Sequence, residues 1–391
     1  TATALLYGTT ARLFGRRAGL ISTAIFVGVG PTSDMSAWAT YDPMAIFLLA
    51  LSSWLVVRAA RSRVSEAWIL LAALVMVLAD TAKWAAALWN PVIVALLVLT
   101  APTGWALAVA RGARLLSYAV AIAVPALFLL GGKNYLLQVT TSTTQRTAAT
   151  SSALSVLWNA APLMAAVLPL ALLAVALSWR EHIRRQTLLC AMLTCALLLA
   201  PLVQAHDHTT VSLYKHVDFG VWFGAIAAGY ALSRAALVNA ARGWRVGLAA
   251  AIFTALLGFG QASGLYGFWP NSAPLIAAVE RNLPVKGAIL MENGDQGVAE
   301  YYLLRDGYQP KILSSYAIPA FLISIMIQNH SLGMIEMDTG TGISASPIQQ
   351  SIVGNSRALE RYGYRQVARI PWRDPDGARG WFTIWKLTKG R

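Results

Sequence analysis

Three short stretches hold residue types that could do chemistry. Asp80-Thr81-Ala82-Lys83-Trp84 brings a carboxylate and a primary amine close together along the chain. Tyr41-Asp42-Pro43 sets an aspartate directly before a proline. The stretch from His206 through Asp207, His208, Tyr214, Lys215 and His216 to Asp218 carries three of the five histidines, with two aspartates and a lysine. A carboxylate can take the proton of an attacking hydroxyl as a general base. A lysine is a compact cation that suits a phosphate, and His-x-His beside carboxylates can bind zinc.

Each stretch also has a plain structural role open to it. Asp42 before Pro43 is good helix-start chemistry, with the aspartate as cap and the proline in the first turn. Lys83 beside Trp84 can extend its amine to water from a membrane boundary. The histidine spacing fits neither a structural Cys/His zinc site nor His-Glu-x-x-His. That loop therefore reads first as a phosphate-binding, hydrogen-bonding segment, with Lys215 and the hydroxyls as donors. A divalent metal at Asp42 stays open.

The elements that position these residues follow from composition. The 391 residues are 57% hydrophobic and only 12% charged, against about 25% charged in a soluble domain. Lipid is the solvent this composition suits. Of the 17 acidic residues, only Asp34, Asp42, Glu66, Asp80, Glu181, Asp207 and Asp218 precede residue 270. The chain thus divides into a membrane domain, 1–268, and a domain of ordinary soluble composition, 271–391. Thr1 opens the chain inside an apolar stretch, so a preceding segment is expected.

Apolar runs able to span a bilayer need about 17–25 residues. About ten candidates occur, at 1–10, 18–33, 36–57, 67–80, 84–100, 114–131, 153–178, 187–203, 218–238 and 246–268, with 67–80 and 84–100 forming a tight hairpin. Assigning the loops alternately to two sides gives one side 14 arginines, among them Arg12, Arg58, Arg114, Arg185 and Arg234, and the other only Lys83, Lys133, Arg146 and Lys215. The arginine-rich side is cytoplasmic, and the net charge of +14 needs no nucleic acid to explain it. On the opposite side lie Asp34, Asp42, Asp80, Asp207 and Asp218 with both lysines. Carboxylates at a membrane boundary are costly unless paired, hydrated or cation-bound, so this gathering reads as a site. Cys190 and Cys195 share one apolar run and read as packing residues.

Beyond residue 270 the pattern is that of a small α/β domain on the outer face. Strands are predicted at 287–291 and 332–337, and helices at 296–305 and 347–362. A closing pair, 365–370 and 381–387, flanks the turn-rich Asp374-Pro375-Asp376-Gly377. The segment from Gly132 to Ser152, with Lys133, Asn134, Gln138, Gln145 and Arg146, reads as a solvated outer loop. No Gly-rich phosphate loop, Gly-x-Ser-x-Gly elbow or ATPase motif occurs, which argues against nucleotide-driven pumps and serine hydrolases.

Leu13-Phe14-Gly15-Arg16-Arg17-Ala18-Gly19-Leu20, followed by Tyr41-Asp42-Pro43-Met44 at the head of a helix, resembles polytopic glycosyltransferases of the GT-C class. The likeness is greatest to the dolichyl-phosphate-mannose protein mannosyltransferase and aminoarabinose transferase group, family 39-like enzymes. Ala82-Lys83-Trp84 and Tyr214-Lys215-His216-Val217-Asp218-Phe219-Gly220 are similar to further pieces of that pattern, which extends over most of residues 5–268. The resemblance implies an α-helical polytopic membrane protein of about ten helices with a C-terminal soluble domain outside the cell membrane. It also implies a polyprenyl-phosphate-linked sugar as donor and inverting transfer in a cavity just outside the membrane. Asp42 matches the family's second acidic position, and Asp42 and Asp34 are the candidate catalytic carboxylates. Lys83 and Lys215, with His206, His208 and His216, would hold the donor phosphate. The family's first helix and the loop bearing its principal catalytic acid should precede residue 1. A transporter or lipid flippase is the main rival, yet transporters keep polar groups near the bilayer midplane, whereas here they collect at one boundary. A non-catalytic assembly subunit is the other.

Overall fold

The computed structural model describes residues 1–37, 40–129, 131–142, 151–210, 212–238, 240–266, 271–315, 318–340, 348, 356–373 and 379–388. It divides into two compact units, Thr1–Ser263 and Gly264–Arg391. The first unit is built of helices: α1 (Ala2–Phe14), α2 (Arg16–Gly28), α3 (Gly30–Ala37), α4 (Asp42–Ala60), α5 (Ser65–Ala82), α6 (Asn90–Thr100), α7 (Trp105–Leu129), α8 (Lys133–Ser142), α9 (Ala153–Met164), α10 (Leu168–Arg180), α11 (Arg184–His206), α12 (Leu213–Val238) and α13 (Ala240–Tyr266). A 3-10 segment, Trp84–Trp89, joins α5 to α6.

Among the described residues five helices are long and apolar enough to cross a membrane: α4, α5, α7, α11 and the Arg245–Gly264 part of α13. A sixth would form if α9 and α10, bent by 79° at their junction, act as one span. Proline explains the bend, since Pro162 and Pro169 remove backbone donors on either side of it. Helices α7 and α13 turn Leu116, Val120, Val124, Ile252, Phe253, Leu256 and Phe259 outward. So much exposed apolar surface would aggregate in water, and lipid is its natural cover. The chain is a membrane protein.

Helix α12 is buried along nearly its whole described length, from Val217 to Leu232, and packs against α2, α10 and α11. Small residues let it do so. The α-carbon of Gly229 lies against the Ala18 carbonyl and Ser22 of α2, and that of Gly220 lies against the Ala196 and Leu197 carbonyls of α11. Close backbone approach of this kind drives helix association where lipid offers no hydrophobic gain.

The run expected at 18–33 is not one span. Val29 is extended (φ −77°, ψ 139°) and separates α2 from α3, because Gly30-Pro31 cannot continue the helical hydrogen bonds of α2. Helices are present at 67–80 and 84–100, the second starting in the 3-10 segment, but they do not pack as the tight hairpin expected: α5 lies against α4 and α7, and α6 against α4, α7 and α11. The stretch read as an open outer loop contains α8, while Gln145 and Arg146 lie outside the described residues.

The arginine-bearing helix ends are tied to one another. Arg61 donates to the Arg12 carbonyl at 2.9 Å, and Arg111 to the Ala60 carbonyl at 3.2 Å. Arg114 pairs with Glu66, and Arg185 donates to the Thr103 carbonyl at 2.7 Å. Glu181 accepts from Arg234 Nε at 2.8 Å and from the Tyr230 hydroxyl at 3.1 Å.

The second unit holds a five-stranded mixed sheet in the order β2-β1-β3-β5-β4. Its strands are β1 (Ala288–Met291), β2 (Ile312–Ser314), β3 (Leu332–Gly340), β4 (Tyr364–Arg373) and β5 (Arg379–Leu387). The first three pair parallel, and β5 runs antiparallel to both β3 and β4. Helices cover both faces, as a partly parallel sheet requires. Ile289 and Met291 join Leu275, Val279 and Leu303 of α14 (Ala273–Arg281) and α15 (Asn293–Arg305). Ala288 and Leu290 point the other way, to Ile323, Ile327 and Leu359 of α16 (Ala320–Gln328) and α17 (Ser356–Arg361). The strands predicted at 287–291, 332–337, 365–370 and 381–387 are all present, and the helix predicted at 296–305 is α15. Of the helix predicted at 347–362, Ile348 and Ser356–Arg361 are helical, Tyr362 is in a turn, and the rest lies outside the described residues, as does the turn at Asp374–Gly377.

Candidate active site

The opposite ends of the same helices carry the acidic residues and lysines. Asp42 is the first residue of α4, and Lys83 follows the last residue of α5. Helices α4 and α5 are neighbours, so their ends meet, and the Lys83 amine pairs with the Asp42 carboxylate. The capping role open to Asp42 is not the one it takes. Tyr41 occupies the cap position without a side-chain cap bond, and the aspartate turns to the lysine. One turn before Lys83, Asp80 accepts a hydrogen bond from the Asn90 amide at 2.7 Å, which fastens the end of α5 to the start of α6.

The break at Val29 gives α3 its purpose. It turns the chain so that Thr32 reaches α12, where its hydroxyl donates to the fully buried carboxyl of Asp218. Two residues on, Asp34 is wholly buried. Lys215, one turn before Asp218 on α12, lies within electrostatic reach of Asp34, Asp42 and Lys83. Asp218 feels both Asp34 and Asp42, and so does the Tyr214 hydroxyl. Three aspartates and two lysines from four helices thus share one small region. Near cancellation of charge lets them stay there, since an unpaired ion away from water costs several kcal/mol.

Beside this group a cavity of about 620 Å³ opens, lined by Asp218 and the hydroxyl residues Thr1, Thr3, Thr32 and Ser36 and by apolar residues among which are Phe26, Met35, Met44 and Phe47. Such a lining suits a ligand that is largely apolar and carries a polar group.

The histidines are distributed differently. His206 is exposed at the end of α11, with Nδ1 3.1 Å from Asp207. His208 is exposed and lies 3.1 Å from the Ser151 carbonyl. Neither contacts the Asp42–Lys83 pair. His216, half-buried, occupies the first turn of α12 beside Lys215. Among the described residues no three His, Cys, Asp or Glu side chains are grouped so as to hold a metal ion. Asp42, the residue open to a metal, spends its carboxylate on Lys83. Thr32 and Asn90 take part without having been singled out from sequence. Thr32 and Asp218 stand 186 residues apart, and a lone threonine beside Pro31 carries no local signal.

No family model matches the chain, and no curated protein matches it in sequence. Solved structures do. The oligosaccharyltransferase of Archaeoglobus fulgidus, in complex with zinc and sulfate, superimposes with a TM-score of 0.50 at 12% identity, over 97% of this chain and 59% of that one. Its apo form gives the same score and identity over 97% of this chain and 62% of that one. The chain has a GT-C fold. It spans about three-fifths of the length of the neighbours it matches, and at this identity the likeness concerns the fold alone.

Proposed function

We propose that the chain is a membrane glycosyltransferase that moves a sugar from a polyprenyl-phosphate donor to an acceptor on the outer face of the cell membrane. The observation that carries this reading is the gathering of Asp34, Asp42, Asp218, Lys83 and Lys215 at one end of the helices, beside a cavity with largely apolar walls. A lipid-linked donor needs that combination, because its tail stays in the bilayer while its phosphate must be met at the boundary. The arginine-rich opposite ends make this the outer side. Helices α1, α2, α12 and the Trp84–Thr100 segment would complete about ten crossings, and α13 would lead to an extracytoplasmic second unit.

In this reading the acceptor's nucleophilic atom attacks the anomeric carbon as the bond from that carbon to the phosphate oxygen breaks. Asp34 or Asp42 takes the acceptor proton. The phosphate leaves with the bonding electrons, and Lys215, with Lys83 alongside, meets its charge. A single displacement inverts the anomeric centre. The His206, His208 and His216 region would border the donor headgroup. Activity that survives a chelator would leave the chemistry to the side chains alone, and activity restored by a divalent metal would return Asp42 to a metal role.

The test is transfer from a panel of radiolabelled polyprenyl-phosphate sugars by the purified chain, with Asp34→Asn, Asp42→Asn and Lys215→Ala beside it. Turnover that falls at least about 100-fold in one aspartate variant, with folding intact, supports the reading. A protein that neither binds nor consumes any of these donors overturns it, and transport in liposomes then becomes the question.

A further inference from the structure

At the arginine-rich end, three guanidiniums are held together more closely than topology alone demands. Arg12, in the last turn of α1, lies 5.0 Å from the ring centre of Trp54. Arg58, in the last turn of α4, lies 5.3 Å from the same ring and 4.4 Å from that of Trp68. Trp54 and Trp68 meet edge to face, with centroids 6.5 Å apart. Arg61 joins them through its hydrogen bond to the Arg12 carbonyl at 2.9 Å. All three arginines are exposed.

Their positive charge is not balanced from within. Among the described residues none of the three forms an ion pair with a carboxylate, and Glu66, which opens α5 near Trp68, is taken by Arg114 and the Tyr118 hydroxyl. The C-terminal ends of α1 and α4 supply roughly half a negative charge each, so about two positive charges remain. Indole rings draw in cations by their faces, but they add no countercharge. Fixing two guanidiniums on an aromatic platform, with a third arginine tied beside them, makes sense if an anion from outside lies across them.

We propose that Arg12 and Arg58, mounted on Trp54 and Trp68, form with Arg61 a binding site for a phosphate anion, met as the phosphodiester headgroup of an anionic lipid in the adjoining leaflet. Arginine presents a planar fork of donors that matches phosphate oxygens. Anionic leaflets attract basic residues next to membrane helices by about 1 kcal/mol each, which is about a 5-fold change in affinity per arginine. The indoles contribute orientation, holding the forks toward the headgroup level where tryptophan itself is favoured. This site is separate from the sugar-transfer reading and stands or falls without it.

Native mass spectrometry of the detergent-purified chain, titrated with phosphatidylglycerol or phosphatidylcholine, tests it. Wild type should retain phosphatidylglycerol preferentially. Arg12→Gln and Arg58→Gln, on different helices, should each weaken that retention about 5-fold. Arg184→Gln, an exposed arginine on α11 outside the cluster, should leave it unchanged. Arg58→Lys keeps the charge and guards against a folding defect, and should lose less than Arg58→Gln. Competition by millimolar inorganic phosphate assigns the site to free phosphate; failure to compete assigns it to the lipid headgroup. Equal retention of the two lipids by wild type, or retention of phosphatidylglycerol unaltered in both Gln variants, overturns the proposal.

Discussion

The pairing of Asp42 with Lys83 lets a structural role and a chemical one be separated. The Asp42 side chain is 4% exposed and that of Lys83 19%, so the pair is closer to the buried limit than to the surface one. Surface pairs contribute about 0–1 kcal/mol, whereas removing one partner of a buried pair costs about 3–5 kcal/mol because the other ion is left unmatched. With the lysine partly hydrated, Lys83→Ala should cost about 3 kcal/mol, roughly a 100-fold shift in the folding equilibrium. Replacing both ions by neutral side chains of similar shape, Asp42→Asn with Lys83→Met, should restore stability to within about 1 kcal/mol of wild type. The stabilities would be read by denaturant titration of the four proteins in one detergent, and donor turnover would be measured on the same samples. A stable double variant that is inactive separates the chemistry from the packing. If Lys83→Ala is as stable as wild type, the pair is not a buried one and the reasoning fails. If the stable double variant turns over donor normally, neither residue takes part in the reaction.

Other outcomes follow from the same structure. Thr32→Ala leaves the buried Asp218 carboxyl without its hydroxyl donor and should cost about 1–3 kcal/mol. Thr32→Ser should recover most of that in a thermal shift assay. Gly229→Leu would thrust a side chain into the Ala18 carbonyl and Ser22, lowering stability by about 1–3 kcal/mol or more, seen as a lower melting midpoint and yield. In the second unit, burial raises the Asp338 carboxyl above its ordinary value of 3.8, although Trp372 Nε1 donates to it at 2.7 Å. The unfolded chain releases this proton first as pH rises. Stability should therefore fall with increasing pH from about 4 up to the raised folded value, and stay lower beyond it. Asp338→Asn keeps an acceptor for Trp372 and should flatten that slope, read by hydrogen exchange of β3–β5 corrected for intrinsic rates.

Much of the fold was legible because its signals are local. A helix crossing lipid must satisfy every backbone group internally and present apolar side chains over its whole length, so the runs that became α4, α5, α7 and α11 stand out residue by residue. Arginine placement adds a second local signal: the bonds of Arg61 to Arg12, Arg111 to Ala60 and Arg114 to Glu66 gather at one set of helix ends the arginines that sequence groups together. The strands β1, β3, β4 and β5 likewise follow from short β-branched and aromatic runs between turn residues. Among the described residues of the second unit three elements escaped notice, α14, β2 and α16, as α8 did in the first. β2 is only three residues long. In α16 the run Ala320-Phe321-Leu322-Ile323-Ser324-Ile325-Met326-Ile327 is apolar throughout, so periodicity cannot tell helix from strand. In α14, Leu275, Ile276 and Val279 carried a usable helical spacing.

The sequence by itself determined that lipid is the solvent, that arginines gather at one set of helix ends, and that aspartates and lysines collect at the other. Only the tertiary structure decided which of them meet. Lys83 and Asp42 are 41 residues apart and Thr32 and Asp218 are 186 apart; such pairs depend on which helices become neighbours. That in turn rests on glycines in α12 that admit α2 and α11, and on a break at Val29 that swings α3 toward the site. It also left His206 and His208 exposed at the rim, bonded to Asp207 and Ser151 and out of contact with the Asp42–Lys83 pair. Composition and spacing record what a side chain can do, while long-range packing selects its partner.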